Sequence, residues 1–481
     1  MAEQVTEKRR TSEATRQPVA TDGYRYVAGR LTCGGVDLDA IAQRVGTPCY
    51  VYDAEGMRGR YHALARVLAP LRGEIYYAVK ANPCLAVAQL FAELGAGMDV
   101  VSMGEMERGW LAGAPMERMC FAGVSKSDAW LRAALDGSQS PLVGSALVPG
   151  GRPIEERGPI GIINAESESE IERLDAIAHE LGVVADYTIR LSPGVTAGAN
   201  DKVRVGAKAT KFGQPPEDLF AMVERCRHLR SVRFRGLHMH IGSQIDDLSR
   251  FDAALAVLTA LADRLRDAGH RVDVLNVGAG VAVSYVGETS PSDEDYGEIL
   301  RTHLERFAKD GCRTIVEPGR ELVGQAGVML TRVCHVKHAG GREIVTTDAG
   351  LNALVRPAMY GAQHTVWPVA CAPEHGLDPI APPMSAAALP TMDVVGPVCE
   401  SSDVFARDWP MPRVQRGDVL AVFTAGAYGM SMAMSFNDLP LPAEVLVDAP
   451  GASVVREHQT FDALLGPTVG GLSGGRRIDL S

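Results

Sequence analysis

No two cysteines in this chain stand in a C-x-x-C spacing. The nine cysteines are scattered and odd in number, which excludes a zinc framework or a closed disulfide set and reads as reduced thiols in a cytoplasmic protein. Long apolar runs are missing too. The best candidate, residues 419–437, is broken by Gly426, Gly429, Ser431 and Ser435, so no membrane span is expected. There is no basic excess: 48 Lys and Arg stand against 59 Asp and Glu, a net charge of −11. Nucleic acid and anionic membrane surfaces are therefore poor partners. The first residues lack the apolar core of a signal peptide, and a disordered tail is expected over 1–22.

At 481 residues two domains are expected. The apolar share of 46% and charged share of 22% are ordinary for a globular enzyme. Strand-like pieces at 24–27 and 49–52 come first. A strand–helix rhythm follows, with strands expected at 75–79, 98–101, 119–122, 161–163, 187–191, 234–240, 272–277 and 313–316, seven of them followed by a clear helical pattern. Eight such units over about 250 residues are the usual size of a (β/α)8 barrel, and alternating order argues for a parallel sheet. Residues 136–159, rich in Gly, Pro and Ser, interrupt the rhythm and read as a surface insertion. After about 322 the helical periodicity fades. Strands expected at 328–336, 343–347, 391–395, 419–423 and 444–447 describe a β-rich domain. The fold class is thus α/β, with tail 1–22, N-terminal strands 23–53 joining the β domain, barrel 54–321, β domain 322–450 and C-terminal tail 451–481.

In such a barrel the active site lies at the C-terminal strand ends. Tyr76-Tyr77-Ala78-Val79-Lys80 puts a lysine at the tip of the first strand. A lysine there is costly to desolvate without a partner or a task, and a desolvated lysine readily becomes nucleophilic. The second strand holds Asp99. The sixth ends His238-Met239-His240-Ile241-Gly242-Ser243, the seventh Gly278-Ala279-Gly280, and the eighth Glu317-Pro318-Gly319-Arg320. The 278–280 turn offers backbone N–H groups to a phosphate, helped by Ser243 and Arg320. His238 and His240 lack a third ligand at a telling spacing, so no metal is expected. A lysine, a phosphate turn, a flat imidazole and an acid together describe a site for pyridoxal 5′-phosphate.

Further stretches extend this: Asp348-Ala349-Gly350-Leu351-Asn352, Arg356-Pro357-Ala358-Met359-Tyr360-Gly361, Gly396-Pro397-Val398-Cys399-Glu400-Ser401 and Ala425-Gly426-Ala427-Tyr428-Gly429. With the strand-end motifs, and in this order from about residue 47 to 447, they resemble the diaminopimelate decarboxylase family. These are pyridoxal-phosphate decarboxylases that pair an alanine-racemase-like barrel with a β domain. The resemblance implies that Lys80 forms the Schiff base and that His240 stacks on the ring. It implies that Ser243, Gly278 and Gly280 hold the phosphate and that Glu317 meets the pyridine nitrogen. Arg320 then binds phosphate or a substrate carboxylate. Arg356 and Tyr360 clamp a carboxylate, Cys399 reprotonates the α-carbon, Glu400 meets the distal ammonium, and Tyr428 touches cofactor and substrate. It also implies a homodimer whose sites share Cys399 and Glu400 across subunits. The implied reaction is decarboxylation of meso-2,6-diaminopimelate to L-lysine. Two departures, at 199–204 and 437–440, keep a second substrate in view: ornithine, lysine or a carrier-linked amino acid.

Overall fold

The computed structural model describes residues 21, 23–148, 153–154, 157–195, 211–378 and 389–469. Nearly all of the expected tail 1–22, the departure at 199–204 and the glycine-rich end beyond 469 lie outside the described residues, as does part of the 136–159 insertion. No helix among the described residues is long and apolar enough to cross a membrane.

The chain divides into two compact units. One begins with a small antiparallel sheet, β1 (Tyr24–Val27), β2 (Arg30–Cys33) and β3 (Val36–Asp37), and then β4 (Cys49–Asp53). The other holds eight strands that close a barrel: β5 (Glu74–Ala78), β6 (Gly97–Val100), β7 (Met119–Phe121), β8 (Ile162–Ala165), β9 (Ala185–Leu191), β10 (Val232–Met239), β11 (Val274–Asn276) and β12 (Arg313–Val316). Each pairs in parallel with the next, and β12 pairs in parallel with β5.

Local chemistry sets the barrel's helix starts. Ser102 accepts from the Glu105 N–H while Glu105 accepts from the Val101 N–H at 2.8 Å. Ser167 and Glu170 repeat the device, with Glu170 accepting from the Glu166 N–H at 3.0 Å. Such reciprocal caps satisfy N–H groups that the first helical turn leaves open.

The barrel interior is layered. Tyr76, Cys120, Ile162, Val274 and Ile315 form one buried cluster. Side chains two positions apart on a strand share a face, so Asn164, Asn276 and Glu317 stand directly beyond Ile162, Val274 and Ile315, toward the C-terminal mouth. An apolar floor thus carries a buried polar layer, and the site is built on that layer.

The insertion is anchored by chemistry not visible in its composition. Arg157 donates to both oxygens of Glu107 at 2.8 and 3.0 Å and to the Ala133 carbonyl at 3.0 Å, and Ser140 donates to Glu107 at 2.9 Å. The pair is buried, so losing either partner would strand a charge in the interior.

In the other unit a twisted sheet runs β17 (Val404–Pro410), β16 (Thr391–Val395), β14 (Arg342–Thr347), β13 (Gly327–Ala339), β4, β19 (Ala443–Asp448) and β20 (Gly451–Arg456). There β18 (Val419–Val422) pairs with β13, and β15 (Val366–Pro368) pairs with β18. Three of these strands, β15, β17 and β20, are absent from the sequence reading. The reading of 451–481 as a tail is corrected for its described part: β20 makes a hairpin with β19, and a helix spans Phe461–Val469.

Candidate active site

Lys80 does not end a strand. Strand β5 stops at Ala78, whose N–H reaches the Pro318 carbonyl at 3.0 Å, and Val79–Ala81 form a 3-10 turn. The turn lifts Lys80 to the barrel mouth. Gly319 permits this: a Cβ there would lie 2.9 Å from Ala81 Cβ and 3.1 Å from Ala78 Cβ. The loop carrying Glu317 and Arg320 can therefore press against the turn carrying Lys80.

Lys80 Nζ pairs with Asp99 Oδ2. The lysine side chain is 32% exposed and the aspartate fully buried, so the pair joins the open mouth to the polar layer. Burial pushes the Asp99 carboxyl up, Glu317 pushes it further, and Lys80 pulls it back.

Glu317 follows β12 at the centre of the polar layer. Its Oε1 accepts from Asn276 Nδ2 at 2.5 Å, Cys120 Sγ at 3.3 Å and Asn164 Nδ2 at 3.5 Å; its Oε2 faces His238 Nε2 at 3.2 Å. Burial works to raise this carboxyl, but His238, Lys80 and the Asn276 hydrogen bond outweigh it and hold it well below the usual carboxylate range. A buried permanent anion at the barrel axis results. The sequence reading found Glu317 but missed Asn164, Asn276 and Cys120, and it weighed His238 only as a metal ligand. Asp99, Cys120 and Glu317 offer ligand atoms within 4.8 Å of one another, yet Asp99 is engaged with Lys80, Glu317 with His238 and the asparagines, and the Cys120 thiol with the two carboxylates.

His240 lies just beyond β10. Its imidazole is driven down to about 3, by burial first and then by Lys80 and Arg190, so the ring is neutral at working pH. Arg190 is itself buried and tied to Glu166 at 2.9 Å.

The phosphate candidates also assemble. Gly278 donates its N–H to Asn276 Oδ1 at 3.0 Å. Gly280 has a φ of +129°, and a Cβ there would sit 2.1 Å from the Gly242 carbonyl, so the turn nests directly on the 239–242 backbone. Arg320 Nε and Nη2 reach Ser243 Oγ at 3.4 and 3.3 Å. Cation, hydroxyl and glycine turn share one edge of the barrel mouth.

Beside Arg320, Glu321 is buried with neither carboxylate oxygen hydrogen-bonded by a described residue, and Arg60 Nη2 stands 3.6 Å away. Burial pushes its carboxyl from 4.5 up to about 7, against the pull of Arg60 and with a push from Asp293. The unfolded chain loses this proton near 4.5 and the folded chain only near 7. The contribution to stability is full below the lower value and falls by on the order of 3 kcal/mol as pH rises through the upper one. Glu321→Gln is expected to flatten that decline in urea unfolding followed from pH 5 to 8. An unchanged slope would place the titration elsewhere.

The remaining candidates belong to the β unit. Arg356 opens the short helix Arg356–Tyr360 and is buried. Its Nη1 meets His364 Nε2 at 3.0 Å, and its guanidinium lies over the Tyr285 ring, 4.5 Å from the centroid. His364 Nδ1 donates to the Phe423 carbonyl at 2.8 Å, which leaves Nε2 as an acceptor for the arginine. Tyr360 and Tyr428 are half-buried. Tyr428 holds a φ of 55°, strained for a non-glycine residue and typical of positions kept for function. Cys399 and Glu400 are exposed. The Cys399 N–H is held by Asn437 Oδ1 at 3.0 Å, so the departure at 437–440 touches the loop of the candidate acid. Glu400 accepts from the Ser401 N–H at 3.0 Å.

A family profile described as "Pyridoxal-dependent decarboxylase, pyridoxal binding domain" matches residues 55–324. The diaminopimelate decarboxylase of Zymomonas mobilis is 36% identical over 91% of this chain and 96% of its own length. That of Pseudomonas aeruginosa is 37% identical over 92% and 98%. The chain belongs to the diaminopimelate decarboxylase family. Among solved members of this family, the M. jannaschii enzyme in complex with L-lysine superimposes with a TM-score of 0.82 at 30% identity, covering 94% of this chain and 98% of that one. The Helicobacter pylori enzyme, also complexed with L-lysine, gives 0.79 at 29%, covering 90% of this chain and all of that one.

The family's cofactor is pyridoxal phosphate, and the barrel mouth fits it on its own chemistry. The Lys80 amine is accessible, Glu317 is a buried anion, and the Gly280 turn leaves no room for a side chain. His238 Nδ1 is a buried nitrogen with no hydrogen-bond partner among the described residues.

Proposed function

We propose that this protein decarboxylates meso-2,6-diaminopimelate to L-lysine and carbon dioxide with pyridoxal phosphate, as a cytoplasmic homodimer. The observation that carries the reading is the Lys80–Asp99 and Glu317 arrangement at the mouth of a closed barrel, in a chain whose relatives along nearly their whole length are named for this reaction. When bound, pyridoxal phosphate supplies an electron sink for the carbon that loses carbon dioxide.

The chain's own residues do the rest. Lys80 would hold the cofactor's aldehyde through its amine, with Asp99 beside it to take up or return the Nζ proton. Arg320, Ser243 and the 278–280 turn would hold the phosphate. His240, kept neutral, would meet the ring without adding charge. Glu317 stays ionised and would favour a proton on the ring nitrogen. Arg356 supplies a planar cation for the distal carboxylate. His364 and Tyr285 fix its plane before substrate arrives, and Tyr360 and Tyr428 complete that side. The Cys399 thiol gives a proton to the α-carbon, and the Glu400 carboxylate receives the distal ammonium. Both are exposed on the single chain, which supports their service in the site of a partner subunit.

The test is carbon dioxide release from diaminopimelate by the cofactor-loaded enzyme, against ornithine, arginine and lysine. Turnover of one of those in place of diaminopimelate would overturn the substrate. Arg356→Ala is expected to raise KM for diaminopimelate by roughly ten- to a hundredfold, the worth of charged hydrogen bonds. A substrate lacking the distal carboxylate would be indifferent to that change.

A further inference from the structure

Cys120 has no part in the roles assigned so far. It is the middle residue of β7, in register with Asp99 on β6 and Ile162 on β8, and it is fully buried. It belongs to the apolar floor with Tyr76, Ile162, Val274 and Ile315. Any small apolar residue could fill that place. What sets the thiol apart is its direction: Sγ is 3.3 Å from Glu317 Oε1 and 3.8 Å from Asp99 Oδ1. The Glu317 carboxylate has no proton to give, so the thiol is the donor. Burial, Glu317 and Asp99 all raise its pKa well above the ordinary value, so the S–H persists at every working pH.

The donors around Glu317 are distributed unequally. Oε1 carries Asn276, Cys120 and Asn164, whereas Oε2 carries His238. We propose that Cys120 is a positioning residue for Glu317: its thiol proton, with the two asparagines, pins Oε1 to the barrel floor and leaves Oε2 as the oxygen that receives the ring nitrogen of pyridoxal phosphate. The inference rests on the cofactor reading above. Each donor to the carboxylate also weakens its pull on the ring proton, so the pinned anion favours the protonated ring over a shared or transferred proton.

The alternative is a thiol that only fills space, as buried cysteines commonly do. Three variants separate the two: Cys120→Val keeps the bulk without a donor, Cys120→Ala removes both, and Cys120→Ser keeps a donor in less volume. Two measurements are made on each protein: the dissociation constant for pyridoxal phosphate, and the nitrogen NMR signal of cofactor labelled at its ring nitrogen. The Val and Ala variants are expected to bind cofactor about fivefold more weakly, the worth of one weak donor to a charged acceptor. Their ring signal should move toward the unprotonated position, and Cys120→Ser should restore both readings. Wild-type affinity and an unmoved ring signal in Cys120→Val, with the loss confined to Ala and Ser, would overturn the proposal in favour of packing. A wild-type chain that takes up no pyridoxal phosphate would overturn the cofactor reading and this inference with it.

Discussion

Lys80→Ala is expected to remove turnover of diaminopimelate by about 10⁴-fold or more while leaving the barrel folded. The first half follows from chemistry. Lys80 pairs with the buried Asp99, whereas Lys126, which also reaches the polar layer, is held by the Gly123 and Asn164 carbonyls and by Glu170, and losing a positioned nucleophile and proton carrier costs the upper end of the range for such groups. The second half follows from Asp99. It is completely buried, and removing the lysine leaves its carboxylate unpaired. A charge stranded in this way ordinarily costs about 3–5 kcal/mol. Asp99 has a cheaper course, because burial and the Glu317 charge already push its carboxyl up. Without Lys80 it takes a proton and becomes neutral. The variant should therefore melt closest to wild type near about pH 4, where the unfolded chain holds that proton as well, and fall progressively below it as pH rises. Kinetics and thermal unfolding over that range check both halves. Turnover within about tenfold of wild type would remove Lys80 from the nucleophile's role.

Much of this was legible in the sequence because it sits at strand ends. Alternating strands and helices over some 250 residues point to a barrel, and in a barrel the last residue of each strand faces the site. Lys80, His240, Gly278, Gly280, Glu317 and Arg320 are all found by walking those ends. Asn164, Asn276 and Cys120 were missed because they lie inside apolar strands, where pattern reading expects packing. A signal was present nonetheless. Ile162-Ile163-Asn164, Val274-Leu275-Asn276 and Ile315-Val316-Glu317 each place a polar residue two positions beyond an inward apolar one, on the same face. Three polar residues at one height in three strands form a layer, and a layer can be looked for.

The β unit was harder to read for a different reason. Strands β17 and β20 are edges of the sheet, and edge strands carry charged residues and proline that blur the period-two pattern. β17 contains Arg407, Asp408 and Pro410, and β20 begins just after Pro450. β15 has only three residues, too few to show a period. The supports of Arg356 come from far along the chain, Tyr285 71 residues before it in sequence and the carbonyl of Phe423 that orients His364 well after it. No local pattern predicts them, because the contacts exist only once the sheet has folded.

The same reasoning about layers bears on Glu317→Gln. This change keeps the shape and removes the charge. It also sets an amide NH₂ where one carboxylate oxygen stood, among groups that are themselves donors. If the NH₂ takes the Oε1 position, it meets Asn276, Cys120 and Asn164, all donors. If it takes the Oε2 position, it meets His238 Nε2, which can relieve the clash by giving up its proton there and carrying one on Nδ1, the nitrogen with no hydrogen-bond partner among the described residues. The second arrangement is the cheaper, so the variant should fold with a His238 proton on Nδ1 in place of Nε2 and with the ring-facing oxygen replaced by a donor. A donor cannot hold a proton on the ring nitrogen. We expect kcat to fall by roughly 10²–10³-fold, the usual loss when one preorganised electrostatic partner is removed. KM for diaminopimelate should hardly move, because Glu317 serves the cofactor and not the distal end of the substrate. Glu317→Asp, which keeps the charge but shortens the reach to Asn276 and His238, should fall between. A large rise in KM with kcat intact would instead place Glu317 among the substrate contacts, and the assignment of the polar layer to the cofactor ring would fail.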